Sequence, residues 1–516
     1  MDIGVKKETV EISGKKAEVT INTSVENDII IPDTKEDIKD VVNIDSYISI
    51  TGKELQNERA VIYGTVYFNI LYVTDEEKAG LRSISASMPF SDVADIRGAE
   101  DGDVLTLNSK IRSSDYKILN GRKLNLKSQV ETKAAVYGKT EKIAASGVDN
   151  VDGFEDITET VSVLNFNPTF SKDSKVEKRL SLPMADEGAK EILRVHGHIS
   201  DKNVKIINGK VIVKGETVLS CLYESKSGEI KTVSDTVGFT EIFDVSGIKD
   251  DVLTDISFEP SYLKFTPYDN DEEIRGTDVE MGLSCSINYY ESKSVNIIKD
   301  CYCVNKKIKT SLESVAYSKT VMDVNKQIAV KDSIVIPENA PLINKIIDID
   351  AKSYITSIEN SDNKLIIKGC TDTYLLYMSE DENAPLYSAQ KTIDFEEEFD
   401  KEKNEEYQAH INVNTLGSSY SFSAPDRAEV RCNVELKGVI TGKENKDIIS
   451  DIEFADFPED DKKAPSFTVY FAKKGEKLWD IAKKYYTTVS AIKEMNEMES
   501  EKITEPIKLF IPSFRR

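Results

Sequence analysis

Hydrophobic and polar residues alternate along most of the chain. After Gly64, every second position is apolar or aromatic, with Val66, Phe68, Ile70 and Tyr72 in sequence. Side chains two residues apart lie on one face of a β-strand, so this alternation predicts strands. The same reasoning predicts strands at 106–111, 123–136, 279–289, 410–415 and 428–439, separated by polar turns such as 120–121 and 269–271.

The same pattern occurs three times. Each copy carries a glutamate, a proline, a glycine and a tyrosine at identical spacing, and the copies are offset by 151 and 154 residues. These anchor residues are Glu8, Pro32, Gly64 and Tyr72, then Glu159, Pro183, Gly215 and Tyr223, then Glu313, Pro337, Gly369 and Tyr377. A unit of about 150 residues is large enough to hold its own core. The sequence therefore predicts three tandem homologous domains.

Each unit is predicted to be mainly antiparallel β, either a sandwich or a partly open barrel. The proline restricts the residue before it to an extended conformation and is predicted to end a strand. The glycine is predicted to relieve crowding where the sheet curves. The stretches 35–41, 187–193 and 341–347 are predicted to form one or two helical turns.

The pattern of apolar and polar residues changes after the third unit. We expect β repeats at 1–150, 151–305 and 306–440, an acidic linker at 441–465 and a small βααβ domain at 466–516. In the last segment Leu478, Ile481, Ala482 and Tyr485 lie at helical spacing on one face. Together with Asn496 and the closing segment 509–512, this segment resembles a LysM domain.

LysM domains typically bind polymers of N-acetylglucosamine such as peptidoglycan. The resemblance implies that Gly475, Glu476, Lys477, Leu478, Trp479, Asn496 and Ile511 contact a glycan or a partner. The usual Gly-Asp-Thr is Gly475-Glu476-Lys477 here, and its longer side chains cap a helix poorly. The usual Pro-Gly-Gln is Pro506-Ile507-Lys508, so protein binding is an alternative to sugar binding. Trp479 is either an aromatic anchor of the binding face or a core residue.

With three β repeats before a LysM domain, the chain resembles the SPOCS-domain spore-coat morphogenesis proteins of the clostridial SipL type. That resemblance implies a non-enzymatic scaffold in the mother-cell cytoplasm. It would dock on the forespore surface through the sporulation stage IV ATPase and couple the coat to the forespore, with other coat proteins as further partners. The alternative is a peptidoglycan-binding protein that anchors the chain to cortex or cell wall.

Charge narrows the class of partner. The chain has 67 Lys and Arg against 91 Asp and Glu, a net charge of −24, which disfavours binding to nucleic acid. Residues 466–516 carry ten basic and seven acidic side chains, or +3, so the preceding residues carry −27. An acidic body with a basic tip suits docking of the tip on an acidic partner. With no apolar run of about 18 to 20 residues, a soluble intracellular protein is expected.

Candidate catalytic and metal-binding motifs are few. His196-Gly197-His198 could share a metal, but a partly exposed pair without metal is the preferred interpretation. Six sparse cysteines predict reduced structural thiols, and the calcium-like start at 269–273 lacks the glycine of such loops. No enzyme, cofactor or metal site is predicted. A glycan-remodelling enzyme is a third hypothesis, but no acidic pair is singled out for it.

Overall fold

The computed structural model describes residues 4–513 apart from 57, 76–79, 185, 246, 251, 271–272, 380–385, 404 and 459–465. Three successive groups of six strands make up the chain as far as Ala455. The first group is β1 (Gly4–Ile30), β2 (Ile38–Gln56), β3 (Arg59–Thr74), β4 (Leu81–Asp95), β5 (Val104–Asn120) and β6 (Lys123–Asp149). The second is β7 (Phe154–Ser181), β8 (Ala189–Ile207), β9 (Lys210–Ser225), β10 (Ile230–Asp244), β11 (Leu253–Asn270) and β12 (Glu273–Cys303). The third is β13 (Lys307–Val335), β14 (Lys345–Asn360), β15 (Lys364–Met378), β16 (Leu386–Asp400), β17 (Tyr407–Ala424) and β18 (Arg427–Ala455).

Each repeat folds as two antiparallel three-stranded sheets. In the first repeat one sheet has the order β1-β6-β5 and the other β2-β3-β4, and the other repeats follow the same order. In the second repeat the pairing of Ile274 with Ala189 joins the two sheets at one point. Alternate side chains of both sheets meet between them, as Phe68 and Leu126 do in the first repeat. The predicted β-sandwich repeats are confirmed.

The anchor tyrosines hold the segment that follows each anchor proline. The Tyr72 hydroxyl donates to the Glu36 carbonyl oxygen at 3.0 Å, and the Tyr377 hydroxyl donates to the Pro341 carbonyl oxygen at 2.8 Å. In the second repeat Tyr223 donates to the Asp186 carboxylate. All three tyrosines are fully buried, so each fixes a turn against the core of its own sandwich.

The helical turns predicted after the prolines are wrong. β1, β7 and β13 end two residues before the prolines, as predicted, but short turns follow and the next strands begin at Ile38, Ala189 and Lys345. From these residues onward, pairing with β3, β9 and β15 supplies the backbone hydrogen bonds. Helix propensity differs by under about 1 kcal/mol per residue for ordinary side chains, so sheet pairing overrides it.

Each anchor glycine lies beneath a phenylalanine ring of the neighbouring strand. The register pairs the three glycines with Phe90, Phe239 and Phe395. A Cβ at Gly369 would lie 2.2 Å from Cζ of Phe395, far inside van der Waals contact. The strand on the other side bulges close to each glycine, at 50–52, 199–201 and 355–357. The prediction that this glycine relieves crowding is confirmed.

Replacing Gly369 by alanine is therefore expected to destabilise the third repeat by about 1–3 kcal/mol, because the methyl group must displace the Phe395 ring. Gly417 is the matched control, since a Cβ there meets nothing within 4 Å. Urea unfolding followed by circular dichroism compares the two variants. Equal unfolding midpoints for Gly369→Ala and Gly417→Ala would contradict this account of the anchor glycine.

The three repeats close into a ring. Val10, Val161 and Val315, which are equivalent positions of the three repeats, pack in a single buried cluster. Around the ring each repeat forms an ion pair with another, through Lys142 and Glu313, Lys293 and Glu11 at 2.7 Å, and Lys446 and Glu159 at 2.9 Å. Two of these glutamates are anchor residues. The repeats are thus related by an approximate threefold axis.

The predicted linker is wrong over its first part. β18 runs to Ala455 and pairs with β13 along its whole length, and Ile448, Ile449 and Ile452 are buried in contacts between repeats. Residues 459–465 of that linker lie outside the described residues. The small terminal unit is β19 (Phe467–Ala472), α1 (Leu478–Tyr485), α2 (Val489–Met495) and β20 (Ile507–Pro512), which confirms the predicted βααβ order. Within the described residues no helix is long and apolar enough to cross a bilayer.

Candidate functional site

The loop before α1 brings together three of the predicted binding residues. Gly475 has φ +87°, a conformation that favours glycine, and its N–H donates to the Ile503 carbonyl oxygen at 2.9 Å. A Glu476 carboxylate oxygen accepts from the Lys473 N–H at 2.9 Å, which closes the turn. Lys477 is the N-cap of α1 and makes no capping hydrogen bond with its side chain. Gly475 and Lys477 are exposed, so this loop can meet a ligand.

Three other predicted residues are structural. Leu478 and Ile511 are buried in the core of the terminal unit. The Asn496 side-chain amide donates to the Ile492 and Phe510 carbonyl oxygens, and its oxygen accepts from the Phe510 N–H, all within 2.8 Å. Asn496 therefore ties α2 to β20, and its side-chain groups are already occupied.

Trp479 faces the second repeat. Its indole Nε1 donates to Asp300 Oδ2 at 2.7 Å, and its ring meets Tyr302 edge-on with 4.9 Å between centroids. Lys483, one helical turn later, also binds the Asp300 carboxylate. Burial alone would raise the pKa of Asp300, but the hydrogen bonds from Lys483 and Trp479 outweigh it and the pKa lies below its usual range. The half-buried tryptophan thus docks the terminal unit on its own chain.

The SipL family, described as "SipL, SPOCS domain", matches residues 37–119, 189–267 and 342–421, and the LysM domain family matches 470–512. The chain carries three SPOCS domains and one LysM domain. Each SPOCS match spans the second to fifth strands of a repeat, and the long first and sixth strands complete the sandwich outside it. Both families are binding domains without catalytic function. Neither curated proteins nor solved structures give a match.

The LysM domain also exposes an apolar surface that the sequence reasoning missed. Its members lie on the outer face of the two-stranded sheet, and we call them the ribbon face: Phe467, Val469, Phe471 and Phe510. Phe471 is the most exposed, at 73%. The Lys508 ammonium lies 4.9 Å from the centre of the Phe510 ring. The alternation of Phe467, Val469 and Phe471 was the available signal, because side chains two apart share a face.

A second candidate site is the cleft enclosed by the ring of repeats. It has a volume of about 2170 Å³ and is lined mainly by β2, β5, β8, β11, β14 and β17. The predicted interpretation of His196 and His198 as a partly exposed pair is wrong for His196, which is 9% exposed. The pKa of His198 is lowered, mainly by burial and to a smaller extent by the neighbouring His196. All six cysteines are buried and unpaired, as expected of structural thiols.

The third histidine, His410, also lines this cleft, and we expect it to make the stability of the protein depend on pH. Burial, together with the Lys15 charge, lowers the pKa of His410 to about 4, although Glu18 opposes this and the Tyr290 ring lies 5.8 Å away. Between its ordinary pKa near 6.5 and 4, the unfolded chain binds the proton and the folded chain does not. Stability is therefore expected to fall as the pH drops through this window. Thermal unfolding of wild type and His410→Gln from pH 7 to 4 measures it, and parallel curves would contradict the assignment.

Proposed function

We propose that this protein is a non-enzymatic scaffold of the spore coat. Its LysM domain docks on the forespore surface by contact with another protein, and its SPOCS repeats couple the coat to the forespore from the mother-cell cytoplasm. The ribbon face carries this proposal, because an exposed apolar surface of this kind on a small domain is typical of a protein-binding site.

The partner is proposed to be the sporulation stage IV ATPase, with other coat proteins bound by the repeats. The family resemblance supports this choice, and the charge distribution specifies the kind of surface. Residues 466–516 have a net charge of +3, and Lys508 borders the ribbon face. A partner surface with acidic groups around an apolar centre fits such a face, because opposite charges speed and orient association.

Replacing Phe471 by aspartate in the full chain is expected to weaken capture of the ATPase about tenfold or more. The change puts a charge at the most exposed aromatic side chain of the ribbon face, where hot-spot residues concentrate the binding energy. Ile30→Asp is the matched control, because Ile30 is an exposed apolar residue (72%) at one end of β1, and the opposite end of that strand, at Val5, is the one that packs in the cluster of Ile308. Surface plasmon resonance with purified ATPase measures both. Equal capture by wild type and Phe471→Asp would remove the ribbon face from the proposal.

Peptidoglycan binding is the second candidate, and one observation favours it. The loop of Gly475 and Lys477 is exposed, at the place where LysM domains hold sugar. Retention on purified peptidoglycan separates the two functions. If the domain holds glycan, Lys477→Glu reduces retention while Phe471→Asp leaves it unchanged. If it serves as a protein tether, wild type is not retained above a control protein.

A further inference from the structure

Three equivalent side chains of the repeats meet at the threefold axis. Asp45 lies on β2, His196 on β8 and Asp350 on β14, and these positions have the same offsets of 151 and 154 as the anchor residues. One ligand atom of each lies within 4.8 Å of the other two. Asp45 and His196 are buried and Asp350 is half-buried, and all three line the cleft between the repeats. The folded ring therefore brings together three groups that are far apart in sequence.

Buried polar atoms at this point have no hydrogen-bond partner among the described residues. Nδ1 of His196 has no hydrogen-bond partner, and Nε2 has only the Asp350 Oδ1 atom beside it, 3.3 Å away at ion-pair distance. The hydroxyl of Tyr47, two residues from Asp45 on β2, is also buried without a partner. Buried polar groups are nearly always satisfied, so these atoms point to a ligand at the axis. An imidazole nitrogen can satisfy its lone pair by binding a metal ion.

The carboxylates are already held in place by groups behind them. Arg194 donates to both oxygens of Asp45, from Nε at 2.6 Å and from Nη2 at 2.7 Å, and its Nη1 donates to Asp348 at 2.8 Å. The backbone N–H of Ala351 donates to Asp350 Oδ1 at 2.8 Å. Such hydrogen bonds orient the ligands of metal sites, and they leave further lone pairs on the carboxylate oxygens.

The local charge matches a divalent cation. Three carboxylates and one guanidinium sum to −2 when His196 is neutral, and a dication would balance this charge inside a poorly solvated site. Bonds of about 2.1 Å at tetrahedral angles place ligand atoms about 3.4 Å apart. The 3.3 Å between His196 Nε2 and Asp350 Oδ1 already meets that spacing. Only the Asp45 carboxylate, whose ligand atom lies within 4.8 Å of the other two, would have to move closer to reach this spacing.

We propose that Asp45, His196 and Asp350 bind one divalent metal ion at the axis of the ring, and one nitrogen and two oxygen ligands favour Zn²⁺. Each SPOCS repeat supplies one ligand, so the ion links all three repeats, and the open cleft gives it a path of entry. A fourth position is left for water. This site is independent of the proposed docking function, because it lies in the ring and not in the LysM domain.

The test uses the full chain, dialysed against a chelator and titrated with ZnCl₂ at pH 8 by calorimetry. Burial alone would lower the pKa of His196, but the Asp350 charge outweighs burial and the pKa lies above its ordinary value. A proton therefore competes with the metal ion for the imidazole, and an alkaline buffer reduces this competition. We expect one Zn²⁺ per chain in wild type and affinity at least tenfold weaker in His196→Asn. His410→Gln is the matched control and is expected to bind as wild type does. Wild-type affinity in His196→Asn would overturn the proposal.

A second measurement does not depend on the folding of any variant at the proposed ligands. In wild-type protein labelled with ¹⁵N-histidine, Zn²⁺ is expected to shift the ring nitrogens of one of the three histidines, and the His410→Gln spectrum identifies the signal that must stay unmoved. If folded wild type binds no stoichiometric Zn²⁺, or binds it without moving an imidazole nitrogen, the axis does not hold this ion.

Discussion

Replacing Arg194 by alanine is expected to lower the free energy of unfolding by about 3–5 kcal/mol, because it leaves buried carboxylates without their partner. Arg194 lies on the second repeat, yet it binds Asp45 of the first and Asp348 of the third. Its side chain and that of Asp45 are each only 8% exposed. We therefore expect the substitution to destabilise all three repeats together.

Arg179→Ala is the matched control. Arg179 also binds a carboxylate through two nitrogens, that of Asp278, but both side chains are about half exposed or more. An exposed pair contributes under about 1 kcal/mol. Urea unfolding with chelator present, followed by circular dichroism, measures both variants without any contribution from metal. If Arg194→Ala lowered the free energy of unfolding as little as Arg179→Ala does, the ion pairs of Arg194 with Asp45 and Asp348 would contribute little to the stability of the ring.

The second large effect is expected at the contact between the LysM domain and the second repeat. Asp300→Lys removes the acceptor of the Trp479 indole and places two ammonium groups together, because Lys483 binds the same carboxylate. We expect the docked arrangement to lose about 2–4 kcal/mol, which shifts the domain toward release although Tyr302 and Val304 still pack against it. Trp479 is the only tryptophan of the chain. Its fluorescence therefore reports the contact directly, by a red shift and by stronger quenching with acrylamide.

Asp278→Lys, an equally drastic change on the outer surface of the same repeat, is the control and should leave the emission of Trp479 unchanged. The pH dependence gives an independent check. Because the pKa of Asp300 is lowered, its contribution is complete above the ordinary carboxyl range and is lost only as the pH falls through the lowered value. Release of the domain already near neutral pH would contradict the role of this carboxylate.

Local patterns were enough to predict the repeats. Strand alternation is a property of neighbouring residues, and the recurrence of Glu, Pro, Gly and Tyr at one spacing is visible when the chain is compared with itself. Together they predicted three β domains. The positions of Gly369 and Tyr377 have physical causes inside a single repeat, namely a ring above the glycine and a turn held by the hydroxyl. Helix propensity failed after the prolines because pairing with the next strand is stronger.

The features that the sequence did not predict, the extent of β18 and the docking of the LysM domain, depend on contacts between distant parts of the chain. A shift in composition over 441–465, with the polar, proline-bounded segment 458–465, suggested a linker. However, β18 continues to Ala455, because Ile448, Ile449 and Ile452 meet the other repeats. The helical spacing of Trp479 and Lys483 could have indicated a shared target. Nothing near them in sequence points to Asp300, which lies 179 residues before Trp479.

The approximate threefold axis has an evolutionary consequence. A ring of three identical subunits would repeat one side chain three times at its centre, and three aspartates there would repel one another. Duplication of the repeat within one gene frees the three positions to diverge, so that Asp45, His196 and Asp350 can stand where symmetry would demand one residue type. Fusion into a single chain thus permits a mixed set of side chains that a homotrimer could not encode.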